Sequence, residues 1–141
     1  MNLQICSIQP TGSFKADRPI SICTVEAGFP SPAEDWIEKI DLDSWLFKNP
    51  NSTFLVRVSG QSMTSHGIFS GDVLVVDRAL KPRDGSIVVA VMHDSFLVKQ
   101  LILKPPKTLL RSGHGNYPDI EVTEFDEFEV WGVVRYTIHE H

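Results

Sequence analysis

The chain has little cysteine, no excess of basic charge, no long apolar run and no phosphate-cradling glycine loop, and each absence removes a class of function. Cys6 and Cys23 are its only two cysteines, too few for a disulfide framework and consistent with free thiols in a reducing compartment. A formal net charge of −5 argues against a protein that grips nucleic acid through its own basic surface, because phosphate neutralisation dominates such binding. No apolar stretch approaches the ~18 residues that a membrane span needs. The first residues also lack the basic cluster and apolar run of a signal peptide, so the expected location is the cytoplasm. The five histidines, His66, His93, His114, His139 and His141, show no ligand spacing with the cysteines. No metal and no cofactor is expected, and His139 and His141 are expected to be solvent-exposed.

What is there suits one compact domain with a short appendage. Hydrophobic residues make up 42% of the 141, enough for a core that needs no metal or disulfide staple. Residues 1–27 mix polar residues, Gly12, Pro10 and Pro19 with isolated aliphatics, and carry no sustained period. Lys15 and Arg18 balance Asp17 and Glu26, so this arm is neutral and lacks the apolar surface to fold alone. Gly28-Phe29-Pro30-Ser31-Pro32 then interrupts the chain. Ser31 as N-cap and Pro32 in the first turn predict a short helix over Ala33–Ile40. The apolar group Leu42, Trp45, Leu46 and Phe47 shows no assignable period.

From Thr53 onward the pattern is strand. Phe54–Val58 and Val73–Asp77 read as two strands, the second opened by a turn at Ser70-Gly71-Asp72. Ser86–Met92 and Ser95–Leu103 read as the arms of a hairpin joined at His93-Asp94, a poorer turn than Asn-Gly. Thr108–Arg111 and Glu129–Tyr136 supply two more strands, and the fold class is mainly β. The carboxylates Glu121, Glu124, Asp126, Glu127 and Glu129 read as a solvated face.

Two features carry chemistry. Ser59-Gly60-Gln61-Ser62-Met63 directly follows a strand, where glycine permits a tight turn that exposes a serine hydroxyl beside backbone N–H groups. Most serines in such turns are only turn residues. The second is Lys99, which shares a strand face with Leu97 and Leu101. Such a lysine either snorkels from a sheet edge or is partly buried, and the strand pattern leaves both open. Burial disfavours the ammonium, and a neutral amine can take the proton of a serine hydroxyl without histidine or aspartate.

Taken with Ala27-Gly28-Phe29-Pro30-Ser31-Pro32-Ala33, these stretches resemble the UmuD/MucA-type SOS mutagenesis proteins within the LexA-like self-cleaving serine peptidases. The resemblance continues through Gly71–Asp77, Gly85–Ala90, Phe96–Leu101 and Trp131–Val134, and covers residues 27 to about 134. It implies the LexA-like C-terminal peptidase fold of small, strongly bent β-sheets, with residues 1–27 as a flexible arm and 28–141 as the core. It further implies that Ser62 attacks the peptide bond between Ala27 and Gly28 with Lys99 as general base. The backbone N–H groups of Ser62 and Gln61 would hold the oxyanion, and Val25 could fill an apolar subsite. Expected partners are a second copy of the chain, the RecA–single-stranded DNA filament that stimulates cleavage, and a UmuC-type polymerase subunit for translesion synthesis.

Some positions depart from the family pattern. Gln61 stands where UmuD carries Asp, and His93-Asp94 where the family carries Asp-Gly. His66, four residues after Ser62, reads as a surface or cleft-rim residue. A LexA-like repressor is set aside, because an arm of 27 residues cannot hold a helix-turn-helix domain. A non-catalytic β-domain for protein binding is the remaining rival.

Overall fold

The computed structural model describes the backbone of residues 4–10, 20–22 and 38–141, and side chains from residue 41 onward. The fold is mainly β, as the sequence predicts. An eight-stranded antiparallel sheet runs in the order β1-β4-β5-β10-β6-β7-β8-β9, and β2 pairs with β3 in a small second sheet. The strands are β1 Gln4–Pro10, β2 Ile20–Ile22, β3 Glu38–Ile40, β4 Thr53–Ser59, β5 Val73–Asp77, β6 Ile87–Met92, β7 Ser95–Lys104, β8 Lys107–Arg111, β9 Ile120–Val122 and β10 Phe128–Ile138.

The predicted strands from residue 54 onward appear within one or two residues of their expected bounds, with β9 added. The expected helix over Ala33–Ile40 does not reach its end. Glu38–Ile40 is strand, paired antiparallel with Ile20–Ile22, while residues 33–37 lie outside the described set. At residues 38–40 ladder pairing to a distant segment outweighs local helix propensity. A helix is described just after these residues, α1 Leu42–Leu46, with Asp41 as its N-cap accepting from the Asp43 N–H at 3.2 Å. Leu42, Trp45 and Leu46 thus acquire the period that the bare sequence leaves unassigned. The N-terminal segment also supplies more than isolated aliphatics. Gln4–Pro10 forms the edge strand β1, in register with β4 from Gln4↔Ser59 to Pro10↔Phe54.

The core lies on both faces of the sheet where β6 and β7 run through its middle. Val56, Val58, Met63, Ile68, Leu74, Val76, Val89 and Val98 form one buried cluster. Val88, Ala90, Met92, Leu97, Leu101, Leu110 and Val133 form the other. Val89 and Val98 face one way and their chain neighbours the other, as a period of two requires. Strand β10 carries two register shifts, at Val130/Gly132 and Val134/Tyr136, each inserting one residue into the ladder. Bulges bend a strand and increase its twist. Strands β1 and β7, first and sixth in the order, consequently come into contact, so the sheet is strongly curled.

Two local devices fix the turns. Asp77 is fully buried at the end of β5 and accepts from Asn49 Nδ2 at 2.7 Å, Ser52 Oγ at 2.8 Å and the Ala79 N–H at 2.9 Å. Burial alone would raise its carboxyl, but these donors outweigh it and hold it below the ordinary aspartate value. A depressed folded pKa means that this stabilisation is complete above the ordinary value of 3.8 and is lost as pH falls through the folded value. Asp77→Ala is expected to lower stability by about 2 kcal/mol, read from a urea midpoint at neutral pH, with the deficit shrinking in acid.

At the β6–β7 hairpin His93 and Asp94 both adopt the left-handed conformation, with φ of 49° and 62°. That is the two-residue turn expected, made from residues that enter this region at a cost. His93 Nε2 bonds Asp126 at 2.8 Å, and among the described residues Asp94 makes no comparable bond. Asp94→Gly is therefore expected to raise the thermal midpoint, by about 0.5–1 kcal/mol in stability, measured by calorimetry.

Candidate active site

The nucleophile candidate stands at the end of β4. Gly60 takes φ 102°, open to glycine at little cost, and turns the chain out of the strand. Met63 is wholly buried in the first core cluster and anchors the turn from below, and a 3-10 turn over Thr64–His66 follows. Ser62 sits between the turn and the anchor with 0% exposure.

Lys99 comes from the opposite side of the curl. Strand β7 is interior, flanked by β6 and β8, and Lys99 pairs in register with Val88. There is no sheet edge to snorkel from. Lys99 is 1% exposed, with Leu97 and Leu101 buried on its own face. Its Nζ lies 3.0 Å from Ser62 Oγ, in hydrogen-bond range. Stripping the amine of water lowers its pKa from 10.5 to about 8, with burial as the cause. A pKa near 8 leaves about a tenth of the amines neutral at pH 7 and about nine tenths at pH 9. Serine oxygen and low-pKa amine in hydrogen-bond contact are together able to pass a proton, which is what base-assisted nucleophilic attack requires.

Of the other expected site residues, Gln61 is exposed on the same turn, its carbonyl 3.4 Å from the Thr64 N–H. Ala27, Gly28 and Val25 lie outside the described residues. His66 is exposed at the rim, as expected. His139 and His141 are exposed too, but His139 Nδ1 pairs with the buried carboxylate of Asp72, tying the C-terminal tail to the turn before β5. The carboxylate run is largely solvated, apart from Asp126, whose Oδ2 accepts from the Thr123 N–H and hydroxyl.

Sequence reasoning misses the loop between β8 and β9. Gly113 donates to the Ser62 carbonyl at 2.6 Å and accepts from the Ser65 N–H at 2.9 Å, strapping the loop to the nucleophile turn. A Cβ on Gly113 would collide with His66 Cδ2 and meet Met63 Cα at 3.1 Å, so the close approach depends on its missing side chain. Further along, the Tyr117 ring centroid lies 5.9 Å from Lys99 Nζ. A glycine in a polar loop and a lone tyrosine give no pattern to find in advance.

The chain's likeness to known proteins agrees with this geometry. Residues 19–135 match the Peptidase S24-like family. Protein ImpA of Salmonella typhimurium is 40% identical over 131 residues, covering 92% of this chain and 89% of that protein. Protein MucA of Escherichia coli is 40% identical over 125 residues, 87% of this chain and 85% of the relative. The LexA repressor of Halorhodospira halophila is 43% identical over 99 residues, which span 70% of this chain but 43% of the repressor. The family match extends over most of the chain and takes in both the serine turn and the lysine strand: this protein belongs to the Peptidase S24-like family, among its UmuD/MucA-type SOS mutagenesis proteins.

Proposed function

We propose that the chain is a self-cleaving serine peptidase whose one substrate bond is its own Ala27–Gly28 peptide. The observation that carries the reading is the 3.0 Å contact between Lys99 Nζ and Ser62 Oγ at a buried position. Neutral Lys99 takes the Ser62 proton as Oγ attacks the Ala27 carbonyl carbon. The developing oxyanion is held by the backbone N–H of Ser62, with that of Gln61 beside it. Collapse expels the Gly28 amine, which takes the proton back from the Lys99 ammonium, and leaves residues 1–27 as an acyl ester on Ser62. Water, activated by the again neutral lysine, hydrolyses the ester to a free Ala27 carboxylate and restores the serine. Ala27 and Gly28 suit this role because their small side chains leave the carbonyl open to attack.

Residues 1–27 form the removable arm and 28–141 the core in this reading. Cutting after Ala27 severs the covalent tie between β1 and the β4 edge it covers. The docked population of the arm then sets the rate, and a RecA–single-stranded DNA filament accelerates cleavage by stabilising that minor state. The shortened protein acts in the cytoplasm as a homodimer and as the accessory subunit of a UmuC-type error-prone polymerase. No described helix is long and apolar enough to cross a membrane.

The test is intact-mass spectrometry of the purified chain incubated with RecA, an ATP analogue and single-stranded DNA. The reading expects a product beginning at Gly28. A chain that stays whole, or one cut elsewhere, returns it to a non-catalytic β-domain.

A further inference from the structure

Lys99 pairs in register with Val88 on β6, shares its strand face with the buried Leu97 and Leu101, and brings Nζ to Ser62 across the curl. Among the described residues the Tyr117 ring also faces Nζ, its centroid 5.9 Å away. The loop that carries it is held at three points. At its base Arg111 and Asp119 form a forked pair, with Nη2 to Oδ2 at 2.8 Å and Nε to Oδ1 at 3.1 Å. In its middle Gly113 is bonded to Ser62 and Ser65. Near its tip the Tyr117 N–H donates to the His114 carbonyl at 3.2 Å, and the two rings meet edge-on with centroids 5.7 Å apart. The loop is thus referenced to the nucleophile turn and to Lys99 together.

We propose that Tyr117 is a positioning residue whose ring caps Lys99 and keeps water from Nζ, with Gly113 pinning the cap in place. The proposal rests on the reading of Lys99 as general base. A cation over an aromatic face is attracted to it, and that alone would favour the ammonium. At 5.9 Å the attraction is near its limit of range, whereas burial has already moved the amine from 10.5 to about 8. We therefore assign the ring the exclusion of water as its main effect.

No charged neighbour contributes to the shift of Lys99 among the described residues. Strand β6 bears no titratable residue, and β1 bears only Cys6. On β7 and β8, Lys104 and Lys107 are exposed at the far turn, and Arg111 is paired with Asp119. On β4 and its turn, Arg57 bonds the Gly71 carbonyl and His66 is at the rim, while in the loop His114 packs on Tyr117.

The experiment uses full-length Ser62→Ala, which keeps the chain whole, with 13C-labelled lysine and an NMR titration of the Lys99 Cε signal. The parent and Tyr117→Phe are expected to titrate near 8, and Tyr117→Leu at the same value or slightly lower, since leucine covers without a π face. Tyr117→Ala is expected at least one pH unit higher. In the otherwise wild-type chain Tyr117→Ala should cleave about tenfold more slowly at pH 7 and recover above pH 9, the rate following the neutral fraction. If Tyr117→Ala loses its dispersed amide spectrum, Gly113→Ala carries the same test, because its Cβ displaces the loop while leaving the tyrosine. An unchanged midpoint in either folded variant overturns the cap. Cleavage that proceeds with that midpoint unchanged sinks the cap alone. A raised midpoint in the Ser62→Ala background, together with a chain retaining Ser62 that never cleaves, supports the cap and sinks the peptidase reading.

Discussion

Alanine in place of Ser62 or of Lys99 is expected to stop release of residues 1–27, with the rate falling by at least about a thousandfold whether or not RecA filament is present. The two losses should be alike in size and should not add in the double variant, because oxygen and amine form one hydrogen-bonded unit at 3.0 Å. Ser62→Ala removes the attacking atom and leaves the amine. Lys99→Ala leaves a hydroxyl with no base, and no histidine is positioned to substitute, since His66 is exposed at the rim and His114 packs on Tyr117. Amide spectra of both variants should match the wild type, since each change is confined to one buried position. Intact-mass time courses measure the effect. A variant that cuts at the wild-type rate removes its residue from the mechanism.

Lys99→Met is expected to raise folding stability at pH 7 while abolishing cleavage. Methionine fills nearly the same volume among Val88, Leu97 and Leu101 without an ammonium to desolvate. The folded amine titrates at about 8 and the unfolded one at 10.5, a difference worth about 3 kcal/mol. Below the folded value both states are protonated and the wild type bears the full cost of a buried charge. Between 8 and 10.5 the unfolded chain still holds its proton while the folded chain has released it, so wild-type stability rises with pH through this window. The advantage of the Met variant, up to about 3 kcal/mol at pH 7, should therefore shrink toward pH 10. Urea midpoints across that range measure it. An advantage that is constant with pH would mean that packing, not protonation, separates the two chains.

Lys99 is only half legible in the sequence. Its place between Leu97 and Leu101 follows from the period of two, but the period does not say whether the strand lies at an edge or in the interior. The neighbours of β7 decide that, and they are set by a sheet order that runs far out of sequence. Resemblance to the peptidase family supplied the missing half. The turn at Gly60 was legible for a simpler reason, since glycine between a strand and a buried methionine has few other uses. Strands β4, β5, β6, β7, β8 and β10 could be read directly because alternating β-branched residues bounded by turn residues leave little choice.

The failures have physical causes of the same kind. Ser31 and Pro32 read in the sequence as a helix start, but Glu38–Ile40, at the end of the expected helix, obtains ladder bonds from Ile20–Ile22 that a local reading cannot see. Strand β9 is three residues long and set among carboxylates, so it has almost no signal of its own. The Gly113 strap and the Tyr117 cap depend on a loop folding back across the curl. Their chemistry is contact, not pattern.

If an unprotonated lysine drives serine attack on the chain's own backbone, cleavage must follow the neutral fraction of Lys99 as pH changes. The purified chain, without RecA, should release residues 1–27 at a rate that rises about tenfold between pH 7 and pH 9 and levels off above it, with a midpoint near 8 and a product beginning at Gly28. A rate that is flat across this range, or one that follows an ordinary lysine by rising only near 10.5, would contradict it.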